Sequence, residues 1–381
     1  MRPDLQREIV RTILDLAERD TTQLGDAALT IAVADYVSTD VFRAEQHHLF
    51  RARPIAVGLS CDLREPGDYL ASDSGGVPFV VVRAADRSLR AFVNVCRHRG
   101  SPLVEPGIGH LARAFHCGFH GWVYDFDGAV TARPNSAGGF ESLDDRCYAL
   151  LARPVAEAHG LVFLRPAGDE PVVPDDELGD MADELDAFAF AEYRRFDVWQ
   201  SEWQANWKLL VDTFLETYHV PALHPDTVAR HFLARPSMFA AFGPHIRFHS
   251  LMKSVLTLRD RPESEWDLLA HGTVEYFIAP NVVLNYSVDH LAVYRFVPLA
   301  VDRTRATLTM YTPREITTDA EATHYRRTLA LHQRVSGGQD FTTQEHIQRA
   351  LGSGALDHVV FGRNEPAAIH FHRTTRALLD E

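Results

Sequence analysis

Asn94-Val95-Cys96-Arg97-His98-Arg99-Gly100 and Cys117-Gly118-Phe119-His120-Gly121-Trp122 are the stretches that decide how this chain of 381 residues is read. Each supplies one thiol and one imidazole from a short, glycine-ended loop. Only 18 residues separate His98 from Cys117, and the chain has four cysteines, so half of its thiols fall in one candidate metal site. Two thiolates and two imidazoles suit a tetrahedral zinc, and they equally suit an iron–sulfur cluster in which histidines replace cysteines on one iron. Zinc pairs usually group like ligands, whereas here each loop mixes sulfur with nitrogen, which favours the cluster.

The residues around these ligands resemble the cluster-binding loops of the Rieske-type non-heme iron oxygenases, in the large (alpha, terminal oxygenase) subunit of the aromatic ring-hydroxylating dioxygenase family. The resemblance runs across nearly the whole chain. It implies a Rieske [2Fe-2S] cluster on Cys96, His98, Cys117 and His120. Gly118 and Phe119 depart from the Pro and Tyr usual there, and the gap between the loops is slightly long. Loss of the tyrosine hydroxyl is expected to lower the potential, because hydrogen bonds to sulfur tune such centres.

A second informative stretch runs from Asn206-Trp207-Lys208 to His219-Val220-Pro221-Ala222-Leu223-His224-Pro225. The pattern predicts one helix near Asn206 to Val220, capped by Asn206 and ended by Pro221, with Asp212, Glu216 and His219 on one face. Three ionisable groups among Trp, Leu, Phe and Val are costly to bury unless they bind one another or a metal. In a chain with 20 histidines a His-x4-His pair alone is weak. Beside the loops upstream, the segment looks like the iron-binding helix of the same family, which implies a mononuclear Fe(II) held by two histidines and one carboxylate.

The resemblance gives His219 and His224 as metal ligands, with Asp340 as the carboxylate, because Gly337-Gly338-Gln339-Asp340-Phe341 is similar to the family's late acidic segment. Two alternatives stay open: Asp340 caps a helix beginning there, or Glu345 is the ligand. The family's acidic residue at the position of Glu216 bridges an iron histidine to a Rieske histidine of a neighbouring subunit. Most members carry Asp there. Asp212 is expected either to orient a ligand from behind or to lie at the surface.

Composition sets the frame. With 46% hydrophobic residues the chain can bury a large core in two or more domains. Its 38 Lys and Arg against 52 Asp and Glu give a net charge of -14, which argues against nucleic acid as a partner. The first twenty or so residues have no signal-peptide core, and no apolar run is long enough for a membrane span, so a cytoplasmic protein is expected. Cys61 and Cys147 read as buried or neutral thiols.

The expected fold is α+β. An N-terminal helical segment (1–48) packs on the catalytic part. A small all-β Rieske domain (49–166) has strands such as Phe79 to Arg83 and Leu161 to Leu164. A catalytic domain (167–381) has an antiparallel sheet covered by helices, in helix-grip-like fashion. Tyr276, Asn281, Asn285 and Tyr286 are expected on the pocket wall, and Arg97, Arg99 and Arg113 on a basic rim for an acidic redox partner.

The family resemblance implies a terminal oxygenase that uses O2 and electrons from NADH. A separate flavin-containing reductase would deliver them, with or without a ferredoxin, since no dinucleotide fingerprint occurs here. It also implies a head-to-tail homotrimer, with or without a small beta subunit. Ring hydroxylation of a small aromatic or cyclic substrate and oxidative N- or O-demethylation both follow from such a site. A Rieske electron carrier without catalytic iron is the alternative of another class.

Overall fold

A computed structural model describes residues 1–380 and divides the chain into two compact units. One comprises Gln46–Glu177 with Ala189–Glu192. The other comprises Met1–Glu45, Leu178–Phe188 and the chain from Tyr193 onward.

The first unit is built from short antiparallel strands. Leu89–Val93, Val77–Arg83, Asp68–Ser74 and Gly107–His110 form a four-stranded sheet in that order. Ile55–Leu59, Leu161–Leu164 and Val155–Ala158 form a second sheet, and Phe115–His116, Val123–Tyr124 and Val130–Ala132 a third. Successive side chains of a strand point to opposite faces, and Val77–Arg83 is covered on both. Phe79 and Val81 join a core with Ile55, Val57 and Leu164. Val80 and Val82 join another with Phe92, Phe115 and Tyr124. This explains why that strand reads as an unbroken apolar run rather than an alternating one.

The second unit holds a seven-stranded antiparallel sheet. Its order is Arg194–Trp203, Arg303–Thr312, His290–Ala300, Val282–Ser287, Gly272–Ile278, His245–Leu251 and Met238–Phe242. Helices Pro3–Glu18, Trp207–Asp212, Asp319–His332, Thr342–Leu351 and Pro366–Ala377 belong to the same unit. Phe371 joins the layers, meeting Phe277 of the sheet edge-on at 5.2 Å and Trp207 at 5.7 Å. The N-terminal segment is tied in by Leu29–Ala32, which pairs antiparallel with His358–Phe361.

The long helix expected from Asn206 to Val220 does not form as one piece. Asn206 does cap it, accepting the Lys208 amide at 3.0 Å, but the α-helix ends at Asp212. Side chains then take over the backbone. The Thr213 hydroxyl donates to the Leu210 carbonyl at 2.9 Å, and the Glu216 carboxylate accepts the His219 amide at 3.0 Å. Such local bonds compete with the helical ladder. Pro221 ends nothing; it sits in the first turn of a short helix, Val220–Leu223, where its missing N–H costs least.

All six residues of Trp207–Asp212 are buried, including Lys208. Its ammonium pairs with the equally buried Glu45 carboxylate, whose other oxygen accepts the Trp207 indole N–H at 2.9 Å. Removing one member strands a buried charge. Glu45→Ala should therefore cost about 3–5 kcal/mol in denaturant unfolding, whereas the paired apolar change Glu45→Leu with Lys208→Met should recover most of it.

Candidate metal centre and cluster loops

The broken helix brings Glu216 and His219 out on a turn, and His224 follows the short helix. Opposite them, Gln333–Phe341 winds as a nine-residue π-helix between Asp319–His332 and Thr342–Leu351. This wider winding is often found at functional sites. Gly337 lies within it, where a Cβ would come within 2.5 Å of the Trp199 ring. Asp340 is buried inside this stretch, so its reading as a cap is corrected: helix Thr342–Leu351 begins two residues later, after Phe341.

One ligand atom each of His219, His224 and Asp340 lies within 4.8 Å of the others. His224 Nε2 stands 2.9 Å from Asp340 Oδ1, and His219 Nε2 3.6 Å from it. Yet Oδ1 is buried without a hydrogen bond. The backs of both rings are occupied. Glu216 accepts from His219 Nδ1 in a short contact, and Gln339 Oε1 accepts from His224 Nδ1 at 3.0 Å. Gln339 is itself held, receiving the Thr227 hydroxyl at 3.0 Å and donating to the Leu223 carbonyl at 3.2 Å. With both Nδ1 atoms engaged, the two Nε2 atoms are left facing the carboxylate oxygen, an arrangement that suits a cation. Burial alone would lower the His219 pKa, but Glu216 and Asp340 reverse this and raise it.

Neither of the remaining acids joins this group. Asp212 is turned away, accepting from His372 Nε2 at 2.8 Å and Tyr36 Oη at 3.3 Å. Glu345 accepts the Gln204 amide at 2.8 Å.

A cavity of about 400 Å³ opens beside the three ligand side chains. Phe214, Val220, Phe232, Met252, Leu331 and Val335 give it apolar walls. Of the expected wall residues only Asn285 lines it. Tyr276 donates to Glu184 at 3.0 Å, Asn281 bonds the Phe296 carbonyl, and Tyr286 packs on Phe188. The face of Gly272–Ile278 that meets the cavity carries Thr273 and Glu275 instead. A hydrogen-bonded chain lines another wall. His324 Nε2 meets Asp289 at 2.7 Å, Asp289 meets His290 at 3.0 Å, and His290 meets His332 at 2.9 Å. Tyr294 meets His332 at 2.8 Å and Ser336 at 3.0 Å. Burial, and secondarily His290, depress His332 to about 3, so it is neutral. Nothing in sequence spacing marks Gln339, Glu275 or this chain; only the sheet register and the π-helix gather them.

In the β-rich unit the two cluster loops are built alike. Gly100 N–H donates to the Cys96 carbonyl at 2.9 Å, and Gly121 N–H to that of Cys117 at 3.0 Å. Both glycines take positive φ, +80° and +71°, which closes each loop with little strain. Asn94 braces the first loop by accepting the amides of Leu103 and Val104. Cys96 and Cys117 are buried, and the His98 and His120 rings lie 4.6 Å apart. Trp122 stacks on His98 at 5.0 Å, and His98 Nδ1 is buried with no hydrogen-bond partner.

Phe119 is exposed, and the hydroxyl beside a cluster-loop sulfur comes from Tyr124. Tyr124 Oη lies 3.3 Å from Cys96 Sγ and accepts the Arg97 amide at 3.0 Å. The Arg97 guanidinium bonds the carbonyls of Cys147 and Ala149, so it is only partly available to a rim. Cys61 is buried and Cys147 is exposed, so burial holds for the first alone. Two orphaned buried atoms, His98 Nδ1 and Asp340 Oδ1, each within a set of metal-ligating side chains, fit a cluster in one unit and a divalent ion in the other.

Comparison with known proteins agrees with this division. The Rieske [2Fe-2S] domain matches residues 53–148, which contain both loops and so favour the iron cluster over zinc. The catalytic domain of the ring hydroxylating alpha subunit matches residues 190–381. The carnitine monooxygenase oxygenase subunit of Acinetobacter pittii is 32% identical over 202 residues, covering 52% of this chain and 54% of its own. The glycine betaine monooxygenase oxygenase subunit of Chromohalobacter salexigens is 28% identical over 309 residues, 71% of this chain and 68% of its own. The chlorobenzene dioxygenase alpha subunit of a Cupriavidus species is 32% identical over 189 residues, 48% and 42% of the two chains. The chain thus spans about half the length of the first and third relatives and about two thirds of the second.

Among solved structures, a quaternary ammonium Rieske monooxygenase with L-carnitine superposes with a TM-score of 0.80 at 22% identity, covering 93% of this chain and 97% of the other. A naphthalene 1,2-dioxygenase with indole gives 0.75 at 18%, covering 93% and 92%. At these identities the superpositions speak for the fold. With its catalytic-domain match over half of its length and a Rieske domain ahead of it, the chain belongs to the ring-hydroxylating alpha subunit family of Rieske non-heme iron oxygenases.

Proposed function

We propose that this chain is the terminal oxygenase component of a multi-protein system, oxygenating a small organic molecule with O2 and electrons drawn from NADH. Cys96, His98, Cys117 and His120 hold the [2Fe-2S] cluster, and His219, His224 and Asp340 the single iron. The observation that carries this reading is the buried Asp340 Oδ1, which has no hydrogen bond although two oriented imidazole nitrogens face it. When bound, the two groups supply one-electron transfer and a ferrous centre with open positions for dioxygen.

The chain's own residues do the rest. Gln339 and Glu216 fix the tautomers of the two histidines, and the apolar walls keep bulk water from the reacting end. Glu216, anchored on His219, is the bridge toward the cluster of a neighbouring subunit in a homotrimer. Residues 49–166 are the electron-carrying part, and residues 1–48 and 167–381 the oxygenating part. The electron donor is a flavin-containing reductase, with or without a ferredoxin, in the cytoplasm; among the described residues no helix is long and apolar enough to cross a membrane.

Ring hydroxylation remains one reading of the chemistry. Oxidative attack on an N-methyl group is the second, favoured because the carnitine and glycine betaine monooxygenase subunits are among the relatives.

Metal analysis tests the proposal. Anaerobically purified protein should hold about three irons and about two acid-labile sulfides per chain. About two irons would reduce it to an electron carrier, and zinc without sulfide would refute it. His219→Ala should abolish NADH-dependent product formation while leaving the visible cluster spectrum unchanged. Gln339→Leu should weaken iron retention in a chelator competition by about 10–100-fold, again with the cluster spectrum intact. Tyr124→Phe should lower the midpoint potential of the cluster in a redox titration, because a hydrogen bond to its sulfur is lost.

A further inference from the structure

Among the described residues, four carboxyl groups line the cavity, those of Glu216, Glu275, Asp289 and Asp340, and no lysine or arginine does. Three are committed. Glu216 holds His219, Asp340 faces the two imidazoles, and Asp289 bonds His290 and His324. Glu275 is not. Its Oε1 accepts the Thr273 hydroxyl at 2.6 Å and the Asn285 amide at 3.1 Å, which fixes the side chain. Its Oε2 makes no hydrogen bond of ordinary geometry, with Ser250 a polar neighbour of the carboxyl, although the residue is only 5% exposed. An oriented, buried carboxyl oxygen left unsatisfied beside uncharged neighbours is costly unless a ligand completes it. Phe214 and Tyr294 line the same space, and aromatic rings attract cations.

We infer that Glu275 anchors a positively charged nitrogen of the substrate, so that the cavity takes small protonated or quaternary amines in preference to neutral or anionic molecules of the same shape. The inference rests on the oxygenase reading for what happens to that substrate, but not for its binding. Burial, opposed by Thr273 and Ser250, pushes the carboxyl up to about 7. Its contacts are uncharged, and Tyr294, itself raised by burial, is the titratable neighbour that feels it. An entering cation favours the ionised form.

The test uses iron-loaded protein and two probes, choline and its uncharged tert-butyl analogue, in which carbon replaces nitrogen. Titration calorimetry of the wild type should show choline binding at least about tenfold more tightly than the analogue. Glu275→Gln keeps the shape and should bring the two within about twofold, chiefly by weakening choline. Equal affinities in the wild type, no choline binding at millimolar concentration, or an undiminished preference in the variant would each overturn the inference. Iron and sulfide content and product formation, measured separately, decide the oxygenase reading whichever way binding falls.

Stability supplies a check on Glu275 without ligand. A carboxyl raised from 4.5 to about 7 on folding contributes stability below pH 4.5 that is lost as the pH rises through 7. Glu275→Gln should therefore gain in melting temperature over the wild type between pH 4.5 and pH 8; a difference independent of pH would count against a carboxyl held unsatisfied on this wall.

Discussion

Three electron-pair donors held face to face inside an apolar unit are the constraint around which the catalytic half is arranged. His219, His224 and Asp340 come from two segments far apart in sequence, and Asp340 Oδ1 has no hydrogen bond despite the two imidazoles beside it. Holding them there takes support from behind. Glu216 and Gln339 each tie up the far nitrogen of one imidazole, so neither ring can turn to relieve the crowding. The helix that breaks early, the short proline-led turn and the widened helix opposite all serve this convergence.

The cluster loops show the same logic with different means. A positive-φ glycine closes each loop, an asparagine braces the first from beneath, and Trp122 fixes the plane of one imidazole. Both centres thus rest on second contacts that orient the ligands. In the first unit these come from backbone turns and one indole, and in the second from a carboxylate and an amide.

Much of this was legible in the chain. The mixed Cys–His pairs identified the β-rich unit, and the antiparallel sheet expected in the catalytic part is present. The residues that converge as His219, His224 and Asp340 were also readable, because they sit in short motifs. What could not be read depended on winding and register. A regular period through Asn206–Val220 suggested one helix, yet side-chain bonds from Thr213 and Glu216 interrupt it. Tyr276 and Tyr286 looked like wall residues by type, whereas pairing in the sheet presents Glu275, Asn285 and Ser287 to the cavity. Tyr124 brings a hydroxyl to Cys96 from a strand whose position only the fold determines.

The π-helical stretch Gln333–Phe341 lets two adjacent residues address opposite edges of one imidazole: Gln339 reaches Nδ1 of His224 and Asp340 approaches Nε2. Deleting a single residue upstream would restore ordinary winding and swing Asp340 about 100° around the axis, away from its partner. The segment is thereby constrained twice: Gly337, Gln339 and Asp340 are held by what they touch, and the whole stretch is held to its length.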